Sequence, residues 1–334
     1  MTKALTTTLL LLLCVNLCAQ EKESTVAAVA MTSEDSAPYD VSAIPEGKLD
    51  IETLAEVLTA DAETDREKAE AIYHWVANNI AYDVKLYEDF RSGERDKKGS
   101  KRIRKKDMPE HNAKKVKKTL RNKIGICEDY ALVIKSLCDE AGLESKLVKG
   151  YIRIDPAKLR STGEKHVWNL VKIDDEWLPI DATYAAGYLD KYNEFVFDYD
   201  ENYFLADKKR FSINHLPRDT SHMLTDTIML RSQFKNFPVI GLGYFDYKID
   251  NFEPILATHE LKKGDDFKVT FTSPRNIKQF TLYREKEDRT DMVKRIKKGD
   301  TYELVVSNRD VKTGRVILYG DKQLIAAYRL VIRR

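Results

Sequence analysis

Cysteine is scarce in this sequence. Four are present, and Cys14 and Cys18 fall within the first nineteen residues, leaving Cys127 and Cys138 for the rest of the chain. That excludes a disulfide framework of the kind that staples small exported domains. A bridge between the remaining two is excluded as well. If residues 127–141 form one helix, eleven residues at ~1.5 Å each set their Cα atoms ~16 Å apart, well past the ~7 Å limit of a disulfide. Eleven positions make three turns, so Cys138 lies on roughly the face of Cys127 and is expected to fill core. Long apolar runs are also missing. Leu9–Leu13 with Cys14 and Val15 is too short for a membrane span of ~20 residues. With Lys3 before it and Cys18-Ala19-Gln20 after it, the run reads as a secretory signal peptide, residues 1–19, cut after Ala19. A lipid anchor on Cys14 or Cys18 fits less well, because large residues precede both. The mature chain is therefore expected to be exported, to a periplasm or the cell exterior, with no transmembrane segment. Charge of one sign is absent too: a net charge of +2 with 33% charged residues gives no whole-chain pull towards nucleic acid. Metal-ligand spacing is not found either. His111, His215, His222 and His259 are scattered and fit no zinc pattern, and Asp198, Asp200 and Glu201 fit no EF-hand loop. No cofactor and no metal are expected.

What is present centres on Lys123-Ile-Gly125-Ile-Cys127-Glu128-Asp129-Tyr130. An apolar helical pattern starts at the cysteine and runs to Gly142, a C-terminal stop. Cys127 then sits at a helix N-terminus, where unpaired N–H groups and the helix dipole favour a negatively charged sulfur. His166 follows in Lys165-His-Val-Trp168-Asn169, and Asp181 in Trp177-Leu-Pro-Ile-Asp181-Ala-Thr183. Residues 166–173 and 176–181 alternate as two strands around an Asp174-Asp175 turn. Pairing with i + j near 349 brings Asp181 within a residue or two of facing His166. Cysteine, base and orienting carboxylate thus follow in chain order. Upstream, residues 49–60 form a short amphipathic helix, and Thr64-Asp-Arg-Glu67 is a capping box opening a longer one. His74 in that helix is assigned no chemistry.

These three motifs resemble the transglutaminase-like superfamily, whose core pattern is Gly-x-Cys, His-x-Trp-Asn and Trp-x-x-x-Asp-x-Thr. Tyr203-Phe-Leu-Ala-Asp207, Ile213-Asn-His-Leu-Pro217 and Phe234-Lys-Asn-Phe-Pro238 resemble the segment after the core in bacterial relatives of the kyphoscoliosis peptidase. The resemblance covers about residues 50–240. It implies an α+β, papain-like fold with the nucleophile on a helix packed against an antiparallel sheet. Cys127 would be the nucleophile, His166 the general base then acid, and Asp181 the residue that orients the imidazole. Trp168 and Tyr130, inside the same motifs, are expected to touch substrate. The pair Glu128-Asp129 departs from the small residues frequent after the cysteine, and its charge would oppose a thiolate. The Cys127 backbone N–H is one expected oxyanion donor, and no motif supplies a second.

The expected organisation is a signal peptide (1–19), a flexible tether (20–45), a transglutaminase-like domain (46–238) and an Ig-like β-sandwich (239–334). The sandwich is read from alternating strands between Gly-Asp turns, and nothing catalytic is visible in it. Between residues 91 and 121, fourteen Lys/Arg stand against four Asp/Glu. This basic insertion reads as a solvated, partly helical segment, or as a flap beside the site, or as a contact for an anionic surface. The functional expectation is an exported cysteine enzyme acting on amide or acyl groups of a protein or peptide through a thioester. Peptidase or amidase activity is preferred over glutamine–lysine acyl transfer. The alternative is a non-catalytic module holding a peptide or cell-wall component in the same cleft.

Overall fold

Capping and periodicity set the first helices of the computed structural model, which describes residues 50–92, 104–226, 228–307 and 311–333. The expected signal peptide and tether, and residues 93–103 of the basic insertion, lie outside the described residues. Asp50 accepts from the Thr53 N–H and starts α1 (Ile51–Thr59). Thr64 and Glu67 form the expected reciprocal box at the start of α2 (Asp65–Asn79), which buries Ile72, Tyr73, Trp75 and Val76. The chain continues through β1 (Ala81–Tyr82), α3 (Val84–Arg91), α4 (Met108–Asn122) and β2 (Ile124–Gly125) to α5 (Cys127–Glu140). Gly142, at φ +75°, ends that helix in the left-handed conformation that a side chain would resist.

Helix α5 is the axis of the first lobe. Val133, Ile134, Leu137 and Cys138 are fully buried on it, each aliphatic side chain contributing about 1.5–3 kcal/mol of burial. Burial pushes the Cys138 thiol up to about 12, so it is inert core, as expected. The helix packs against α1, α2 and α4 on one side. On the other lies an antiparallel sheet in the order β5-β4-β3-β8, built from β3 (Ser145–Ile152), β4 (Glu164–Ile173), β5 (Glu176–Ile180) and β8 (His215–Pro217). The β4–β5 hairpin pairs Asn169 with Ile180 and Ile173 with Glu176, the register expected from the sequence. Asp174 and Asp175 turn it at positive φ. After β5 come α6 (Ala182–Ala185), the small hairpin of β6 (Gly187–Leu189) and β7 (Phe195–Phe197), and α7 (Lys208–Asn214), which leads into β8.

The second half is strand-rich. One sheet runs β10-β12-β16-β15 and the other β11-β18-β17-β13-β14, with β9 paired on β18. Their ranges are β9 (Val239–Ile240), β10 (Asp250–Glu253), β11 (Thr258–Lys262), β12 (Asp266–Thr272), β13 (Phe280–Arg284), β14 (Arg289–Met292), β15 (Lys294–Lys298), β16 (Thr301–Ser307), β17 (Gly314–Gly320) and β18 (Gln323–Arg333). Phe267, Val269 and Phe271 of β12 and Tyr302 and Leu304 of β16 meet Leu282, Leu318 and Tyr328 of the facing sheet in one core. All pairs in the two sheets are antiparallel except β11 on β18. The mixed first lobe and the sandwich are the fold class the sequence led us to expect. A helix between β9 and β10, α8 (Leu242–Asp246), packs on β18.

A buried cation ties the connecting segment to the first lobe. Arg153, just past β3, donates to the carbonyls of Leu159 (2.6 Å), Phe234 (2.7 Å) and Phe237 (2.9 Å). Leu159, Val239, Ala257, Ile317 and Ala327 form a small shared cluster there. No helix among the described residues is long and apolar enough to cross a membrane.

Candidate active site

The nucleophile candidate is placed by two close approaches. Strand β2 pairs in parallel with β1, Tyr82 opposite Gly125, and the chain then turns straight into α5. A Cβ on Gly125 would sit 2.6 Å from the Asp129 Cβ, so only glycine lets the helix start so tightly. Asp129 uses that space to accept the Ile126 N–H at 3.0 Å, which closes the turn from the helix side. Cys127 is left as the first helical residue, half-exposed, with its own N–H lacking an intrahelical acceptor.

The two acids after Cys127 do not leave bare charge beside the sulfur. Lys115 of α4 reaches Glu128 at 2.7 Å and Asp129 at 3.0 Å, and Lys149 of β3 reaches Glu128 at 2.9 Å. Burial raises Glu128, but the two lysines outweigh it and hold the carboxyl down at about 2. The described part of the basic insertion is therefore not merely a solvated run. Val116, Thr119 and Leu120 are buried, and Lys115 braces the helix that begins at Cys127.

His166 lies on β4 opposite Gly150 of β3. A Cβ there would meet the Leu216 carbonyl at 2.3 Å and the Trp168 ring at 2.4 Å. His166 Nε2 is 2.6 Å from Asp181 Oδ2, and Asp181 Oδ1 accepts the N–H groups of Thr183 (3.1 Å) and Tyr184 (3.4 Å) at the start of α6. With Nε2 so engaged, Nδ1 is the ring nitrogen left free of Asp181, and Cys127 lines the same cleft as the imidazole. Burial lowers His166, but the charge and hydrogen bond of Asp181, with Cys127 adding, raise it to about 10. Burial opposes the charge on Asp181 too, yet the two histidines beside it hold it well below the usual carboxylate range.

The second of those histidines is His215, which in the sequence looked scattered. Its Nε2 is 3.0 Å from the same Asp181 Oδ2. Its only sequence signal was its place in Ile213-Asn-His-Leu-Pro217. His166, Asp181 and His215 offer three ligand atoms within 4.8 Å of one another, all buried. Both imidazoles spend theirs on one carboxylate oxygen, so the set is already closed by hydrogen bonds.

Trp168 and Tyr130 correct the expectation that they touch substrate. Trp168 is 2% exposed and Tyr130 1%. Trp168 packs edge-on against Phe211 and His215, and the Tyr130 hydroxyl donates to the Ile80 carbonyl. Both are structural. The cleft in front of Cys127 and His166, about 380 Å³, is walled instead by Tyr82, Tyr184, Tyr188, Leu189 and Phe195. Ile240, Gly241 and Leu242 complete it. The region at the head of the sandwich, where the sequence showed nothing catalytic, thus lines the site. Glu164 and Lys165 flank His166 on the wall.

Residues 52–182 match the family model of the transglutaminase-like superfamily. Kyphoscoliosis peptidase of Homo sapiens is 27% identical over 193 residues, 57% of this chain and 26% of that protein. Hillarin of Drosophila melanogaster is 23% identical over 229 residues, 64% of this chain and 25% of that protein. The chain thus spans about a quarter of these curated relatives. Among solved structures, a TGase aligns at 19% identity over 46% of this chain and 35% of that one, with a TM-score of 0.30.

Proposed function

From the premise that residues 52–182 form a transglutaminase-like domain, we propose that the protein is an exported cysteine enzyme cleaving an amide of a protein or peptide chain. The observation that carries the reading is one cleft lined by both Cys127 and His166, with His166 bonded to Asp181 at 2.6 Å. The Cys127 sulfur, as thiolate, attacks the carbonyl carbon. The oxyanion forms at the start of α5, where the Cys127 N–H has no other acceptor within the helix. The C–N bond then breaks as the His166 imidazolium protonates the leaving amine, and a thioester remains. Water attacks the thioester, giving its proton back to His166, and the acid leaves as the thiolate reforms. If a lysine amine takes the place of water, the same thioester yields an isopeptide bond. Throughout, Asp181 keeps the imidazole oriented.

The aromatic and aliphatic walls favour a chain with a bulky apolar side chain beside the attacked carbonyl. Export rests on the leader-like first nineteen residues. The test is turnover of a defined peptide mixture by wild type and by Cys127→Ala, with mass spectrometry of the intact protein to trap the acyl-enzyme. We expect a loss of about 10⁴-fold or more in the variant and a thioester adduct on wild type alone. Equal turnover in both would overturn the reading. Tight binding of peptides with no turnover by wild type would replace it with a peptide-holding module.

A further inference from the structure

The Asp181 carboxylate is held from both sides, and the second grip has no role in the reaction as drawn above. Asp181 Oδ2 faces two imidazoles, His166 at 2.6 Å and His215 at 3.0 Å, while Oδ1 accepts two backbone N–H groups. His215 is 1% exposed. Its ring lies flat on Phe211, centroids 3.7 Å apart at 11°, and pairing of β8 with β3 fixes its backbone opposite Ile152. A carboxylate gripped in this way cannot rotate without losing a hydrogen bond in a dry site, where each is costly to leave unmade.

Proton counting defines the state of His215. Its Nδ1 is 2.6 Å from the side-chain amide of Asn214, drawn with the oxygen inward, while the Asn214 amide nitrogen is buried with no partner. Turning that amide over lets its N–H₂ donate to Nδ1 and leaves an oxygen in the unpartnered place, the less costly orphan. The imidazole is then neutral, accepting at Nδ1 and donating from Nε2 to Asp181. A second cation is disfavoured because the His166 ring is only 5.7 Å away, centroid to centroid. Tyr184 and Tyr203, the other titratable rings facing it, stay uncharged, since burial raises both.

We propose that His215 is a positioning residue: a neutral imidazole whose Nε2–H holds Asp181 in the orientation that grips His166. For its effect on turnover this rests on the proposed roles of Cys127, His166 and Asp181; its geometry does not.

The experiment is an NMR titration of the labelled histidine rings, paired with the rate of Cys127 alkylation by iodoacetamide at pH 7. In wild type, His215 is expected to be neutral at pH 7 with its proton on Nε2, and His166 to titrate far above a free imidazole. His215→Phe keeps the stack on Phe211 and removes the donor. It should lower the His166 titration by about one unit or more and slow alkylation by about tenfold, the worth of one hydrogen bond to a charged group. His215→Gln keeps an N–H donor and should recover most of both. A packing role predicts the opposite ranking, with Phe native-like and Gln impaired, and would overturn the proposal. If the Phe variant does not fold, a charged His215, or a proton on Nδ1, in wild type at pH 7 overturns it equally. The ring titrations need no substrate, so they stand apart from any failure of the enzymatic reading.

Discussion

Lys115→Met isolates the brace under α5, the helix that begins at Cys127. Methionine keeps an unbranched apolar stem and removes only the ammonium. Two carboxylates lose it, and they are not equivalent. The Glu128 side chain is 36% exposed and keeps Lys149 at 2.9 Å, so its share is that of a surface pair, about 0.5 kcal/mol. The Asp129 side chain is 7% exposed and, of the contacts described above, keeps only the Ile126 N–H. Breaking a fully buried pair costs about 3–5 kcal/mol. Because the Lys115 side chain is itself 23% exposed, about 2 kcal/mol is the share expected for this arm. The total is about 2–3 kcal/mol, or a urea midpoint lower by roughly 1 M. A second readout is chemical. With the two acids uncompensated, iodoacetate should label Cys127 several-fold more slowly relative to neutral iodoacetamide than in wild type. Lys149→Met, which touches only Glu128 from a side chain 60% exposed, serves as the control and should cost no more than about 0.5 kcal/mol. A Lys115→Met cost as small as that of the control, with an unchanged reagent ratio, would show that α4 does not brace the site.

Two further outcomes follow from the same region. Gly150→Ala drives a Cβ against the Leu216 carbonyl of a paired strand and the Trp168 ring. The carbonyl cannot swing away, so urea unfolding should show a loss near the top of the overpacking range, about 3 kcal/mol; less than about 1 kcal/mol would mean that β3 and β8 separate freely. For His166, the folded pKa, about 10, lies above the unfolded value of about 6.5, so the native state holds the extra proton between them. Its stabilising contribution is complete below about pH 6.5 and lost as pH rises through about 10. The stability difference between wild type and His166→Gln should therefore be greatest near pH 6.5 and shrink towards pH 10, as read by urea unfolding at stepped pH; a difference that grows with pH would refute the raised value. His215, which burial lowers to about 4 despite its bond to Asp181, works in the other direction. Its contribution is present above about pH 6.5 and lost as pH falls towards 4.

Local signals in the sequence carried far. The Thr64–Glu67 box, the Gly142 stop and the β4–β5 register depend on residues close together in the chain, so their spacing alone predicted them. Gly125 before Cys127 was legible as a motif, though its cause, contact with Asp129, is visible only in three dimensions. What escaped depends on strand order and helix packing. His215 reaches Asp181 because β8 adds to the sheet beside β3, a neighbour that no periodicity announces. Lys115 looked like one charge in a basic run, and only the packing of α4 on α5 aims it at Glu128 and Asp129. Trp168 shares a strand face with His166 but lies under Phe211 and His215, so nearness in a motif did not mean access to the cleft.

The pairing of β9 with β18 sets an order of events during synthesis. Ile240, Gly241 and Leu242 wall the cleft, and they are held by a strand translated long after them: Val239 and Ile240 pair with Ala327 and Ala326, and the Gly241 N–H bonds the Ile325 carbonyl. Cys127, His166, Asp181 and His215 all precede that strand in the chain, so the partner that holds this side of the cleft is translated after them. The wall facing Cys127 is thus supplied later in synthesis than the side chains it encloses.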